Sequence, residues 1–317
     1  MKNNSAKRPI VSRLPLLGAA LLFSLHGIAA DNAKTDNAMR CEGVSVQVLG
    51  SGGPELDDGR ASSAYLVWYH NEAKVLVDAG SGSSVQFGAA GASFETVDAI
   101  LLSHLHTDHA ADLPGFVKGS YFGTRAEDLP IIGPAGNDIM PSTDRYIEAL
   151  LGNKGAFRYL SSYTRAEQDD YLLTPISVTD TPFSYDINPS ITVSAMDVHH
   201  GPIPALAWKV NVNGCIAVFS GDTNDADGTL SEFATQADIL VLHNAIDDAA
   251  GSTAKQLHMT PIQLVDIAST SKAKRVVISH IMKRSEPGLS ALTDAIAVIA
   301  PGRVYAAQDL MNISLNP

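Results

Sequence analysis

Four side chains able to hold a divalent cation stand within six residues of one another: His104, His106, Asp108 and His109, in the run His-Leu-His-Thr-Asp-His. Imidazole and carboxylate are the usual ligands of zinc and other first-row divalent metals. In extended chain alternate residues share a side, so His104 and His106 can reach one cation. Asp108 and His109 follow where the chain turns and can face a second. The apolar run 99–102 ahead of them reads as a buried strand. The cluster then sits on the loop at a strand's C-terminal end, where α/β sheets place their ligands.

Further donors follow, again at the ends of apolar runs. Asp197-Val198-His199-His200-Gly201-Pro202 closes the strand-like stretch 191–198, with both histidines open as ligands. Gly221-Asp222-Thr223 closes 215–220. A carboxylate at a strand end, freed by a preceding glycine, suits a bridge between two cations. His280 follows the apolar run 275–279. His258 stands just outside a helix start in which Thr260 caps, Pro261 takes the first helical position and Gln263 completes a capping box.

The H-x-H-x-D-H run resembles the signature of the metallo-β-lactamase superfamily. The later segments resemble its ribonuclease Z and arylsulfatase-like branch, in the same order: Asp78-Ala79-Gly80, His200 with Pro204-Ala205-Leu206, Ser220-Gly221-Asp222-Thr223, His258 and Ser279-His280. That resemblance implies an α/β fold, a four-layer αββα sandwich of two mixed sheets. It implies two divalent metal ions, zinc first, with manganese or iron as alternatives. His104, His106 and His200 would hold one, Asp108, His109 and His280 the other, and Asp222 would bridge; His200 is preferred to His199 because Gly201 follows it. Asp78 would fix the tautomer of a ligand histidine. Asp108 would orient a metal-bridging hydroxide and accept its proton, and His258 would serve the leaving oxygen.

The activity so implied is metal-assisted hydrolysis of a small ester-like substrate, a sulfate ester or a phosphodiester. A cyclic-nucleotide phosphodiesterase and then a lactonase are the enzymatic alternatives. A metal-binding relative without turnover is the non-enzymatic one, and it is expected to have lost a ligand or Asp108. One departure stands out. Where ribonuclease Z usually reads His-Glu-Ala, with the glutamate supporting the catalytic histidine, this chain reads His243-Asn244-Ala245. That counts against transfer-RNA processing.

The elements that must position these residues can be read in outline. Strands are expected over 44–49, 62–68, 74–77, 99–102, 129–133, 191–198, 205–212, 215–220, 238–242 and 275–279. Helices are expected from 110 to 120 and over 143–151, 230–236 and 291–299, with another opening at Thr260. The turn Gly50-Ser51-Gly52-Gly53-Pro54 lacks the Lys-Ser/Thr of a nucleotide loop and falls, by the resemblance, at the rim of the metal site. The aromatic-bearing stretch 152–190 is expected to include a lid or insertion over the substrate.

The chain has 317 residues, 45% of them hydrophobic, enough for one large core. Residues 1–30 carry Lys2, Lys7, Arg8 and Arg13, no acidic residue, a short apolar run over 14–23 and small residues at Gly27, Ala29 and Ala30. This is the pattern of a secretory signal peptide, leaving 31–317 as a single domain in the periplasm or outside the cell. Removing its four basic residues takes the net charge from −12 to −16, which repels polyanions. The expected partner is therefore a small anionic or ester substrate rather than nucleic acid. No stable membrane span is expected after cleavage, and homodimer formation stays open. Cys41 and Cys215 are the only cysteines, and an exported pair is free to oxidise.

Overall fold

The structure, a computed structural model, describes residues 40–165, 171–299 and 303–316. The expected signal peptide lies outside the described residues, among which no helix is long and apolar enough to cross a membrane.

Two seven-stranded mixed sheets lie face to face. The first contains β1 (Val44–Gly50), β2 (Ala64–Tyr69), β3 (Glu72–Val77), β4 (Ala99–Leu101), β5 (Leu129–Pro134) and β6 (Leu173–Val178) in spatial sequence, with β14 (Asn312–Ser314) on the outer side of β1. The second runs from β7 (Phe183–Asn188) through β8 (Ile191–His200), β9 (Ile203–Val212), β10 (Cys215–Phe219), β11 (Ile239–His243) and β12 (Arg275–Ser279) to β13 (Arg303–Ala306). The central parallel strands are the buried ones. All five residues of β11 and of β12 are buried, as strands covered on both faces require. The antiparallel β8 instead alternates buried and partly exposed positions from Ile191 to Ala195, and is then open to solvent until it reaches buried His200.

Val46, Tyr65, Val75 and Leu101 of the first sheet pack against Trp208, Val210, Phe219, Val241 and Val277 of the second. Outside the first sheet, helices Leu113–Ser120 and Thr143–Leu151 cover Leu66, Leu76 and Ile131. Outside the second, helices Pro261–Ser271 and Leu289–Ile299 cover Val218, Leu240 and Val276. The expected layers of helix, sheet, sheet and helix are present.

Several elements differ from expectation. The helix expected over 110–120 is two, Thr107–Ala110 and Leu113–Ser120. Asp112 at the break turns its carboxylate to Ser84, accepting from its N–H at 2.9 Å and its hydroxyl at 2.8 Å. The helix expected to reach 236 stops at Phe233. The stretch 152–190 is mostly scaffold rather than lid: β6 and β7 are edge strands of opposite sheets, and Tyr163 and Tyr171 are buried in the core.

Two ties bind distant parts of the chain. Cys41 and Cys215 form a disulfide with their Cα atoms 5.0 Å apart, joining the entry to β1 with the start of β10. Asp309, between β13 and β14, accepts hydrogen bonds from the Ser51 N–H (2.9 Å), the Ser51 hydroxyl (2.7 Å) and the Ala61 N–H (2.8 Å). It thereby anchors both ends of the loop that leaves β1.

Candidate metal centre

Sheet topology explains why residues so far apart in sequence meet. β4 ends at Leu101, β8 at His200, β10 at Phe219, β11 at His243 and β12 at Ser279. The loop leaving β4 brings His104 Nε2 to 3.0 Å from His106 Nδ1, and the end of β8 brings His200 Nε2 to 3.3 Å from the same atom. His199, the competitor, points away and pairs with Asp227 at the surface, 2.9 Å off.

The second group lies beside the first. His280 Nε2 is 3.2 Å and His109 Nε2 3.5 Å from Asp108 Oδ2. Asp222 stands between the groups: its Oδ2 is 3.7 Å from His109 Nε2 and 3.9 Å from His200 Nε2, and its Oδ1 is 3.4 Å from His280 Nε2. All seven expected donors converge, six of them buried and His106 at the opening. His258 Nδ1 lies 3.6 Å from Asp222 Oδ2, with its side chain 12% exposed.

The electrostatics follow from burial and proximity. Burial holds His104 well below the ordinary histidine range, and neighbouring His109 adds to the effect. Burial alone would raise Asp108 and Asp222, yet His109 and His280 hold both below the usual carboxylate range. Burial likewise disfavours charge on His109 and His280, but the surrounding carboxylates outweigh it and raise both. His258, whose burial outweighs Asp222, falls to about 4.

The atoms fit divalent cations. Around a tetrahedral zinc with ligands about 2.0–2.1 Å away, donor atoms stand roughly 3.3 Å apart, close to the His104, His106 and His200 spacing. His109 Nε2 is buried, faces Asp108 and Asp222, and has no hydrogen-bond partner among the described residues, as a donor lone pair aimed at a cation would be. Its other nitrogen is held by Asp78 Oδ2 at 2.8 Å, while the same carboxylate accepts from the Ser103 N–H (2.7 Å) and hydroxyl (2.8 Å). Asp78 thus sets the ring's tautomer, as expected.

The glycines of the rim are steric necessities. A Cβ on Gly53 would lie 2.7 Å from the His280 ring, and one on Gly80 would lie 2.2 Å from the Asp108 carbonyl oxygen. His280 itself has φ 51°, a left-handed conformation that costs a non-glycine residue of order 1–3 kcal/mol. Its surroundings hold it there.

His243 was missed as a functional residue. Its imidazole could be grouped with His109, Asp222 and His280 as a fourth donor. Both its nitrogens are engaged, however: Nδ1 by Asp222 Oδ1 at 2.8 Å and Nε2 by the Tyr65 hydroxyl at 3.0 Å. It therefore braces Asp222 and leaves the second cation to Asp108. Its sequence signals are its position at the end of an apolar strand and its place in the segment that resembles His-Glu-Ala. Asn244, next along, is buried with its side-chain oxygen unpartnered among the described residues.

A domain model described as the beta-lactamase superfamily domain matches residues 73–281. Ribonuclease Z from Mycolicibacterium paratuberculosis is 32% identical over 290 residues, which is 86% of this chain and 99% of that protein. Among solved structures, the metallo-beta-lactamase fold protein YhfI from Bacillus subtilis superposes with a TM-score of 0.65 at 20% identity, covering 85% of this chain and 99% of that one. Human tRNase Z, short form, does so with a TM-score of 0.63 at 23% identity, covering 86% and 99%. These relatives overturn the expectation that nucleic acid is no partner, since proteins alike over nearly their whole length are named as ribonucleases. That expectation rests on the exported location, on Asn244 and on net charge, and net charge describes the whole surface and is blind to the local field at the site mouth.

Proposed function

The chain belongs to the metallo-β-lactamase superfamily, in its ribonuclease Z branch, and is a metal-dependent hydrolase; on that premise we propose that it cleaves phosphodiester bonds, RNA among its substrates, with two zinc ions. The observation that carries this reading is the convergence of seven donors into two sets sharing Asp222. His104, His106 and His200 would hold one ion, Asp108, His109 and His280 the other, with Asp222 common to both.

The ions, when bound, supply Lewis-acid polarisation of the phosphoryl group and activation of water. The chain's own residues do the rest. Asp108, its carboxylate stabilised in the charged form by His109 and His280, orients the attacking water and takes its proton. His258, at the opening and uncharged at neutral pH, donates a hydrogen bond to the leaving oxygen. The buried walls exclude competing water from the donors. Relatives named for RNA cleavage favour a phosphodiester over a sulfate ester. The Cys41–Cys215 disulfide supports a periplasmic or secreted location, since such bonds persist in oxidising compartments.

A second reading, a small phosphodiester as the main substrate, draws on charge at the site mouth. Lys283, three residues past His280, is paired with Asp57, which leaves Arg284, whose charge acts on His258, to meet a small anion. The test is a parallel assay of the purified protein on RNA, bis-nitrophenyl phosphate, cyclic AMP and nitrophenyl sulfate. Turnover of phosphodiesters should vanish with chelator and return with zinc. Turnover of the sulfate alone would sink the proposal.

A further inference from the structure

A buried line of hydrogen-bonding groups runs away from the shared carboxylate and crosses from one sheet to the other. Asp222 Oδ1 lies 2.8 Å from His243 Nδ1, His243 Nε2 lies 3.0 Å from Tyr65 Oη, and Tyr65 Oη lies 2.9 Å from Ser279 Oγ. Tyr65 comes from β2 of the first sheet, whereas His243 and Ser279 come from the ends of β11 and β12 in the second. All four residues are at most 2% exposed.

Elementary valence orders the protons along this line. A carboxylate only accepts, so Nδ1 of His243 carries the proton that faces Asp222. In a neutral ring Nε2 then offers a lone pair and must be met by a donor. Tyr65 has one O–H, which is that donor, and Ser279 Oγ lies 2.9 Å from the same phenol oxygen and holds it in place. From Tyr65 through His243 to Asp222 the line therefore donates in one direction. Reversing it would turn a bare nitrogen toward a carboxylate.

Building on the two-cation reading above, we propose that Tyr65 and His243 are positioning residues that fix the rotation of the shared carboxylate. The bond from His243 holds Asp222 Oδ1, which also faces His280 Nε2 at 3.4 Å, and turns Oδ2 toward both donor sets, where it lies 3.7 Å from His109 Nε2 and 3.9 Å from His200 Nε2. Without the brace the carboxylate can rotate about its Cβ–Cγ bond, and the two sets lose their common oxygen. Partners of this kind are typically worth 10–100-fold in metal affinity or activity. Because Tyr65 belongs to the opposite sheet, the brace also ties Asp222 to the sheet that positions the His104–His109 loop.

The test measures zinc retention, which does not depend on knowing the substrate. The full chain is loaded with zinc, and release to a chromogenic chelator is followed for the parent, Tyr65→Phe, His243→Asn and His243→Gln. An asparagine amide places its N–H where Nδ1–H stands, whereas the longer glutamine amide places it where Nε2–H stands. Tyr65→Phe should bind zinc about 10–100-fold more weakly, His243→Gln should be weakened at least as much, and His243→Asn should recover most of the affinity lost by His243→Gln. Circular dichroism checks that each variant is folded. Parental zinc retention in Tyr65→Phe, or equal loss in the two His243 variants, overturns the proposal. Failure of the phosphodiesterase reading would look different: the parent would hold zinc with the expected variant order and cleave no phosphodiester.

Discussion

Single residues carry the chemistry, and His258 separates chemistry from binding most clearly. It lies beside the donors with its pKa drawn down to about 4, chiefly by burial, so at neutral pH it is uncharged. His258→Ala is expected to lower kcat on a nitrophenyl phosphodiester by roughly 10²–10⁴-fold while zinc content stays at the parental level. Equal loss of zinc would make it a ligand instead. Asp108→Ala should abolish turnover altogether, because it removes both a donor and the proton acceptor. The charges also predict how the chelated protein responds to pH. Asp108 and Asp222 are lowered on folding, so their contribution is present above the ordinary aspartate value of 3.8 and is lost as pH falls below it. His109 and His280 are raised, so theirs is full below 6.5 and is lost as pH rises through the higher folded values. The metal-free protein should therefore melt at a higher temperature near pH 6 than at pH 3 or pH 9, measured by calorimetry. Zinc should flatten the alkaline side, since it replaces the protons those rings hold.

At the scale of elements, each donor is aimed by something modest. Thr260 accepts and donates in a capping box with Gln263, the Thr260 N–H lying 2.9 Å from Gln263 Oε1, and His258 stands two residues upstream. Thr260→Ala should cost about 1 kcal/mol of stability and lower kcat by loosening His258, with zinc retained. The disulfide is a tie of another kind, closing a separation of 174 residues with both sulfurs buried. Replacing both cysteines by serine should cost roughly 2–4 kcal/mol, read as a lower melting temperature, with turnover at 25 °C near that of the parent. Much at this scale was legible in the sequence. The strand runs ended in charged or glycine-bearing turns, so strand ends and candidate donors could be found together, and Thr143–Leu151 and Arg275–Ser279 fall at their expected bounds. The break at Asp112 was hidden because its cause is a carboxylate bonded to Ser84, a contact that periodicity does not encode. β6 and β7 fall in the mixed, aromatic-bearing stretch 152–190, where short, half-exposed edge strands leave no clear period-two pattern.

For the molecule as a whole, charge and ancestry pull in different directions. A net charge of −12 repels RNA, yet the relatives are ribonucleases. If both facts hold in solution, raising ionic strength should help this enzyme on RNA. The KM for RNA is expected to fall as salt rises from about 10 mM to 150 mM, while the KM for bis-nitrophenyl phosphate changes little. A KM for RNA that instead rises steeply with salt would reveal a local basic track for the polyanion. The seven candidate donors could be grouped from sequence because they follow strand ends in the motif order of the family that the chain resembles. The brace behind Asp222 could not, because a tyrosine in an apolar strand looks like any core residue until the opposite sheet is in view.

The anchoring role of Asp309 reaches further than its distance along the chain suggests. It fastens Ser51 and Ala61, the loop that includes Gly53, against which the His280 ring rests. A premature stop a dozen residues from the end would delete no cation-holding side chain, and the shortened polypeptide would still be long enough to spell every motif. It would nonetheless unclasp the wall behind His280, so a frameshift that looks harmless in a gene sequence would yield an enzyme with a leaking metal pocket.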